Sequence, residues 1–184
     1  KQLIEDLIEA SKASTGNLAV HLAKPEAGVS VAPIVGDFDD TLNAADLTLL
    51  IQKPETTVYV IADDRPFWRV IDNRMTIICK YAQPGTRVYV DLRENGGQVE
   101  LIFRNTSRYP LNISSEELME RFVRGDESRN TEGSGLGISI AKSLMELMGG
   151  SFMLYVDGDL FKVVLGFAQI AEEKEPLDED ESGK

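Results

Sequence analysis

The sequence of 184 residues predicts an α+β fold, a two-layer α/β sandwich with helices packed on one face of a mixed, largely antiparallel sheet. Three observations carry that expectation. Apolar residues recur at helical spacing in several segments, and short β-rich runs lie between them. Two turn signals, "ENGG" and "DGD", join neighbouring runs as hairpins. With 42% apolar residues, the chain has enough hydrophobic surface for one core, so a single globular unit with appendages is expected.

In chain order, Leu3, Ile4, Leu7, Ile8 and Ala10 form a stripe, and Gly16 stands where a helix C-terminus takes a left-handed residue. Residues 1–16 therefore read as the end of a helix whose stripe needs a partner. The chain opens at Lys1, inside that helix, which predicts a piece of a longer protein. Leu18 to Leu22 reads as a strand, and Ser30 as the cap of a helix carrying Val31, Ile34, Val35, Phe38 and Leu42. Leu47 to Ile51 and Val58 to Ala62 are strand-like runs around the turn "KPET". Asp63 or Asp64 opens the next helix, Pro66 fits its first turn, and "QPGT" stops it after Ala82. Arg87 to Leu92 and Val99 to Phe103 flank the Asn-Gly hairpin signal. Ser115 is expected to cap a short helix reaching Phe122. A polar run over 124–132 precedes a helix ended at Met148 by Gly149-Gly150, and Ser151 to Val156 with Leu160 to Phe167 make the last hairpin. From Glu172 onward acidic residues dominate without apolar periodicity, so residues 171–184 are expected to be a disordered acidic tail.

The formal net charge of -12 argues against partners recognised through their phosphate backbone or anionic headgroups, so no nucleic acid is expected. The single cysteine, Cys79, excludes an internal disulfide and suits a reducing compartment.

The stretch "GSGLGISIAKSLMELMGG" sets Gly133, Gly135 and Gly137 directly before the apolar stripe of a helix. Such a junction gathers unpaired N–H groups and the positive end of the helix dipole where no Cβ blocks approach, which makes it a phosphate cradle. The plain structural reading is a soft loop without a ligand. A dinucleotide fingerprint needs G-x-G-x-x-G after a strand, and a P-loop needs Lys-Ser or Lys-Thr after the last glycine; neither fits. On the earlier helix, Phe67, Ile71, Met75, Ile78 and Ala82 form one side, while Asn73, Thr76, Ile77 and Lys80 form the other. A solvated face accounts for Lys80 but not for Ile77, which asks for a ligand or a loop as cover.

Taken together, these residues resemble the ATP-binding catalytic domain of bacterial sensor histidine kinases, of the class that includes gyrase-type and chaperone-type ATPases. "DNRMTIICKYA" looks like the N box, "ERFVRGDESR" like the F box and lid start, "GSGLGISIAKSLMELMGG" like the second glycine box and "DGDLFKVVLGF" like the last strand pair. The resemblance covers roughly residues 18–168. It implies the Bergerat-type ATP-binding fold, with residues 17–170 as the catalytic domain and residues 1–16 as the end of a dimerisation and phosphotransfer helix. It implies nucleotide contacts from Asn73, Lys80, Tyr81, Arg124, Arg129, Gly133, Ser134, Gly135, Leu136 and Gly137, with Asn73 also on Mg²⁺. The two lid arginines would hold phosphate oxygens by charge-assisted bidentate bonds.

Two departures stand out. Ile77 occupies the place of the second N-box asparagine, and an alkyl group does not coordinate Mg²⁺. The first glycine box is replaced by "RNTSRYPLNIS", in which Asn105 either accepts from the adenine amino group in place of an aspartate or merely starts a turn.

The resemblance implies a kinase that positions ATP for phosphoryl transfer to a histidine on a neighbouring domain. His21, in "LAVHL", is no candidate for that acceptor, so no catalytic residue is expected in this chain. Further implications are a homodimeric, membrane-anchored protein with this domain in the cytoplasm, and a response regulator as partner. A degenerate nucleotide-binding or protein-interaction module is the competing reading. A gyrase-like or chaperone-like ATPase is a third, set back because the N box offers Asp72 where such enzymes use glutamate.

Overall fold

A computed structural model describes residues 29–30, 38–55, 59–60, 62–111, 114–118 and 136–169. The expected helix over 1–16, the strand Leu18 to Leu22, the polar run over 124–132 and the tail over 171–184 lie outside the described residues.

The elements are β1 (Val29–Ser30), α1 (Asp39–Ala44), β2 (Leu47–Gln52), β3 (Tyr59–Val60), α2 (Asp64–Tyr81), β4 (Thr86–Asn95), β5 (Gln98–Thr106), α3 (Leu136–Leu147), β6 (Ser151–Asp157) and β7 (Leu160–Ala168). Five strands form one sheet in the order β2-β4-β5-β7-β6, and β1 pairs with β3 apart from it. β2 and β4 run parallel, with Leu47 opposite Thr86, whereas the other pairings are antiparallel. A parallel pair needs a long crossover, and α2 lies within this one. The sheet is mixed and largely antiparallel, as expected.

Local chemistry explains where the two long helices stop and start. Asp63 is extended (ψ 131°), and its carboxylate accepts the Arg65 N–H at 3.2 Å, so one free donor of the first turn of α2 is satisfied. Pro66 sits in that first turn, where its missing N–H costs nothing. α2 ends as Ala82 turns extended (ψ 150°) ahead of Pro84. α3 closes in a Schellman motif: Gly149 takes φ 72° and donates to Glu146, while Gly150 donates to Met145.

The core lies between these helices and one face of the sheet. Phe67, Ile71, Met75 and Ile78 of α2 and Ile140, Leu144 and Met145 of α3 meet Val88 and Val90, Leu101 and Phe103, and Val163 and Leu165. Successive strand residues face opposite sides, so the other sheet face presents Leu50, Met153 and Tyr155, each exposed. On that second face the buried Asp91 carboxylate is clasped by Arg104 at 2.7 Å and Arg93 at 2.9 Å.

Three local expectations are corrected. Ser30 lies in β1, opposite Tyr59, and the described helix, Asp39–Ala44, has Phe38 and not Ser30 at its N-cap; residues 31–37 of the expected helix lie outside the described residues. In the first hairpin the two-residue loop is Gly96-Gly97, with φ 58° and 83°, because two glycines adopt the doubly left-handed turn more cheaply than Asn-Gly. Asn95 remains in the strand, opposite Gln98. The cap of the helical turn over 115–118 is Ser114, whose Oγ accepts the Glu117 N–H at 3.1 Å. Ser115 instead accepts the Val156 N–H at 3.1 Å, tying this turn to β6.

Candidate functional site

α2 supplies the first wall. Asn73 and Ile77 are half-buried on the side of the helix away from its core stripe, and Thr76 and Lys80 on the same side are exposed. α3 crosses this side at its N-terminus. A Cβ added at Gly137 would stand 3.3 Å from Ile77 Cδ1 and 4.0 Å from Asn73 Oδ1, so the glycine permits a close approach that any side chain would tighten. Among the described residues, the cover over Ile77 is the start of a helix. α3 begins at Leu136, which places Gly137 inside the first turn and corrects the expected helix start after the third glycine.

The arrangement has the chemistry of an anion site. The first turn of α3 carries main-chain N–H groups without intrahelical partners, at the positive end of its dipole. Asn73 Nδ2, buried beside that turn, has no hydrogen-bond partner among the described residues. Lys80 lies two helical turns along from Asn73, with its ammonium 5.4 Å from the Tyr81 ring. Tyr81 is half-buried, and its carbonyl accepts the Arg108 N–H at 2.8 Å, binding the end of α2 to the segment after β5. Arg124, Arg129, Gly133, Ser134 and Gly135 lie outside the described residues, as does the side chain of Leu136.

A divalent cation fits poorly beside Asn73. Mg²⁺ demands oxygen ligands, and Ile77 presents a methyl group next to Asn73 at this crossing. Among the described residues, no group of three His, Cys, Asp or Glu side chains could hold a metal ion.

Asn105 is corrected in one of its two readings. It starts no turn: it lies within β5, opposite Phe161, and is 4% exposed. Its Oδ1 accepts from Arg74 Nη2 at 2.8 Å, and its Nδ2 donates to the Thr106 carbonyl at 3.3 Å. Arg74 was missed as a site candidate. Three residues after Ile71 and four before Ile78, it falls on the core stripe of α2, where a charged residue is itself a signal. Its guanidinium lies 4.7 Å from the Phe161 ring centroid and 5.9 Å from that of Phe103. Burial draws its pKa down to about 9.

Residues 62–176 match the family model for histidine kinase-, DNA gyrase B-, and HSP90-like ATPases. The probable sensor protein PcoS of Escherichia coli is 33% identical over 110 residues, which is 58% of this chain and 24% of that protein. The sensor protein kinase WalK of Staphylococcus saprophyticus is 25% identical over 154 residues, 81% of this chain and 25% of that protein. The chain spans about a quarter of the length of these curated relatives. Among solved structures, the Acinetobacter baumannii histidine kinase AdeS superposes with a TM-score of 0.65 at 19% identity, covering 92% of this chain and 78% of that one. Full-length ShkA in complex with AMPPNP gives a TM-score of 0.70 at 17% identity, covering 92% of this chain and 36% of that one. With the five-stranded sheet, the crossing of α2 by α3 and the match over most of the described residues, the chain belongs to the histidine kinase-, DNA gyrase B-, and HSP90-like ATPase family, and the relatives named above are a probable sensor protein and a sensor protein kinase.

Proposed function

We propose that the chain is the ATP-binding catalytic domain of a two-component sensor histidine kinase, and that it binds ATP between the Asn73–Lys80 side of α2 and the N-terminus of α3. The observation that carries this reading is the seating of Gly137, in the first turn of α3, against Asn73 and Ile77. In this role the amides at Gly133 to Gly137 and the Lys80 ammonium neutralise phosphate charge, Arg124 and Arg129 close over it, and Tyr81 and Asn105 bound the rest of the site. The domain orients the nucleotide, and a histidine on a neighbouring dimerisation and phosphotransfer domain receives the phosphoryl group. Residues 1–16 are assigned to the end of that neighbouring helix, 17–170 to the catalytic domain and 171–184 to an acidic tail. The whole protein is proposed as a membrane-anchored homodimer that holds this domain in the cytoplasm and passes phosphate to a response regulator. Among the described residues, no helix is long and apolar enough to cross a membrane.

Ile77 favours a second reading, a degenerate nucleotide-binding or protein-interaction module with weak or no kinase activity. Calorimetric titration with a non-hydrolysable ATP analogue, with and without Mg²⁺, separates the two. Binding strengthened by the metal supports the kinase; no detectable binding supports the degenerate module. Ile77→Asn restores an oxygen ligand beside Asn73 and is expected to increase the metal-dependent part of the affinity. An unchanged response to Mg²⁺ would remove Ile77 from the metal's neighbourhood.

A further inference from the structure

Arg74 is a buried cation with fewer hydrogen bonds than its chemistry calls for. It is 3% exposed, and Nη2 donates to Asn105, but among the described residues Nε and Nη1 are buried without a partner. The Phe161 and Phe103 rings address the face of the guanidinium, not its N–H edge. Guanidinium carries five donors in a fixed plane, and leaving buried donors unmade is costly. Two unused donor nitrogens beside a buried amide point to an acceptor that a ligand brings.

Resting on the reading that the nucleotide base lies against Asn105, we infer that Arg74 is a specificity-determining residue. It makes that end of the site receptive to 6-oxo purine nucleoside triphosphates, which bind no more weakly than ATP. The reason is charge as much as valence. Asn105 Oδ1 keeps a second lone pair, but a cation 2.8 Å away repels the N–H edge of an adenine amino group brought to the same oxygen. A 6-oxo purine presents O6 and N7, two acceptors on one edge, and arginine matches that pair bidentately. Arg74 thus turns a position suited to reading an amino group into one suited to reading a carbonyl.

ATP and ITP differ at position 6 in the exchange of amino for oxo, which makes them the direct probes. Titration of the chain with each by calorimetry is expected to give an ITP affinity equal to or above that for ATP. Arg74→Leu is expected to shift the ratio toward ATP by roughly tenfold, the discrimination of one bidentate contact. Asn105→Asp gives the cation a carboxylate and moves the ratio the same way, which keeps the test open should the leucine variant fold poorly. A purely structural arginine would scale both affinities together and leave the ratio unmoved. Wild-type preference for ATP by tenfold or more, or a ratio indifferent to both variants, overturns the inference while leaving the nucleotide site intact. Absence of binding by either nucleotide sinks the site itself and the inference with it.

Discussion

Asn105 and Arg74 are held to each other by burial, so their substitutions are not expected to add. Asn105→Leu removes the one described acceptor of the guanidinium and leaves the charge in the core; hydrogen bonds to charged groups are worth about 1.5–3 kcal/mol, and a loss of that order is expected. Replacing both residues with leucine removes the buried cation as well. Exchanging buried ionic groups for packed alkyl groups is neutral or stabilising by about 1–4 kcal/mol in comparable cases. The double variant should therefore be more stable than Asn105→Leu alone. Urea unfolding of the four proteins of the cycle gives the coupling, and simple additivity would show that the 2.8 Å contact carries no energy of its own.

At the scale of elements, stability concentrates where capping groups meet the helix ends. Asp63→Ala deletes the carboxylate that accepts the Arg65 N–H and should cost about 1 kcal/mol, read as a lower urea midpoint with an unchanged slope. This cap was legible in the sequence, as were both long helices and the two hairpins, because capping residues, 3.6-residue periodicity and paired glycines are local signals. Ser30 marks the limit of such signals: a serine before an apolar run suits a cap, yet it lies in β1, which pairs with β3, a partner some thirty residues away that no local pattern reveals. Ser114 and Ser115 exchange roles because Ser115 is drawn to the Val156 N–H on β6, forty-one residues distant. In the candidate site, periodicity placed Asn73, Ile77 and Lys80 on one side of α2. What covers that side, and what Arg74 holds, depend on how α3 and β5 pack, and the sequence shows these only as an isoleucine and an arginine out of place.

For the molecule as a whole, a ligand bound between α2 and α3 ties together two helices that share one core, so its binding energy should appear as global stability. At a concentration of 100 Kd, a nucleotide that binds only the folded chain adds about 2.7 kcal/mol. For a chain of this length, that is a rise in Tm of roughly 5–10 °C. Gly137→Ala separates this effect from ordinary helix stability. Alanine is favoured over glycine within a helix by about 0.5–1 kcal/mol, and its Cβ would press on the terminal methyl of Ile77 alone, at 3.3 Å, with Asn73 Oδ1 at ordinary contact distance, 4.0 Å, so the unliganded protein should hold or gain stability. The same methyl group narrows the approach to Asn73 and to the first amides of α3, so the nucleotide-induced rise should shrink. Opposite signs in one variant, a Tm that holds or rises without nucleotide and a smaller increment with it, are hard to obtain unless the ligand lies at this helix crossing. An increment equal to that of the unaltered chain in a thermal-shift titration would place the ligand elsewhere.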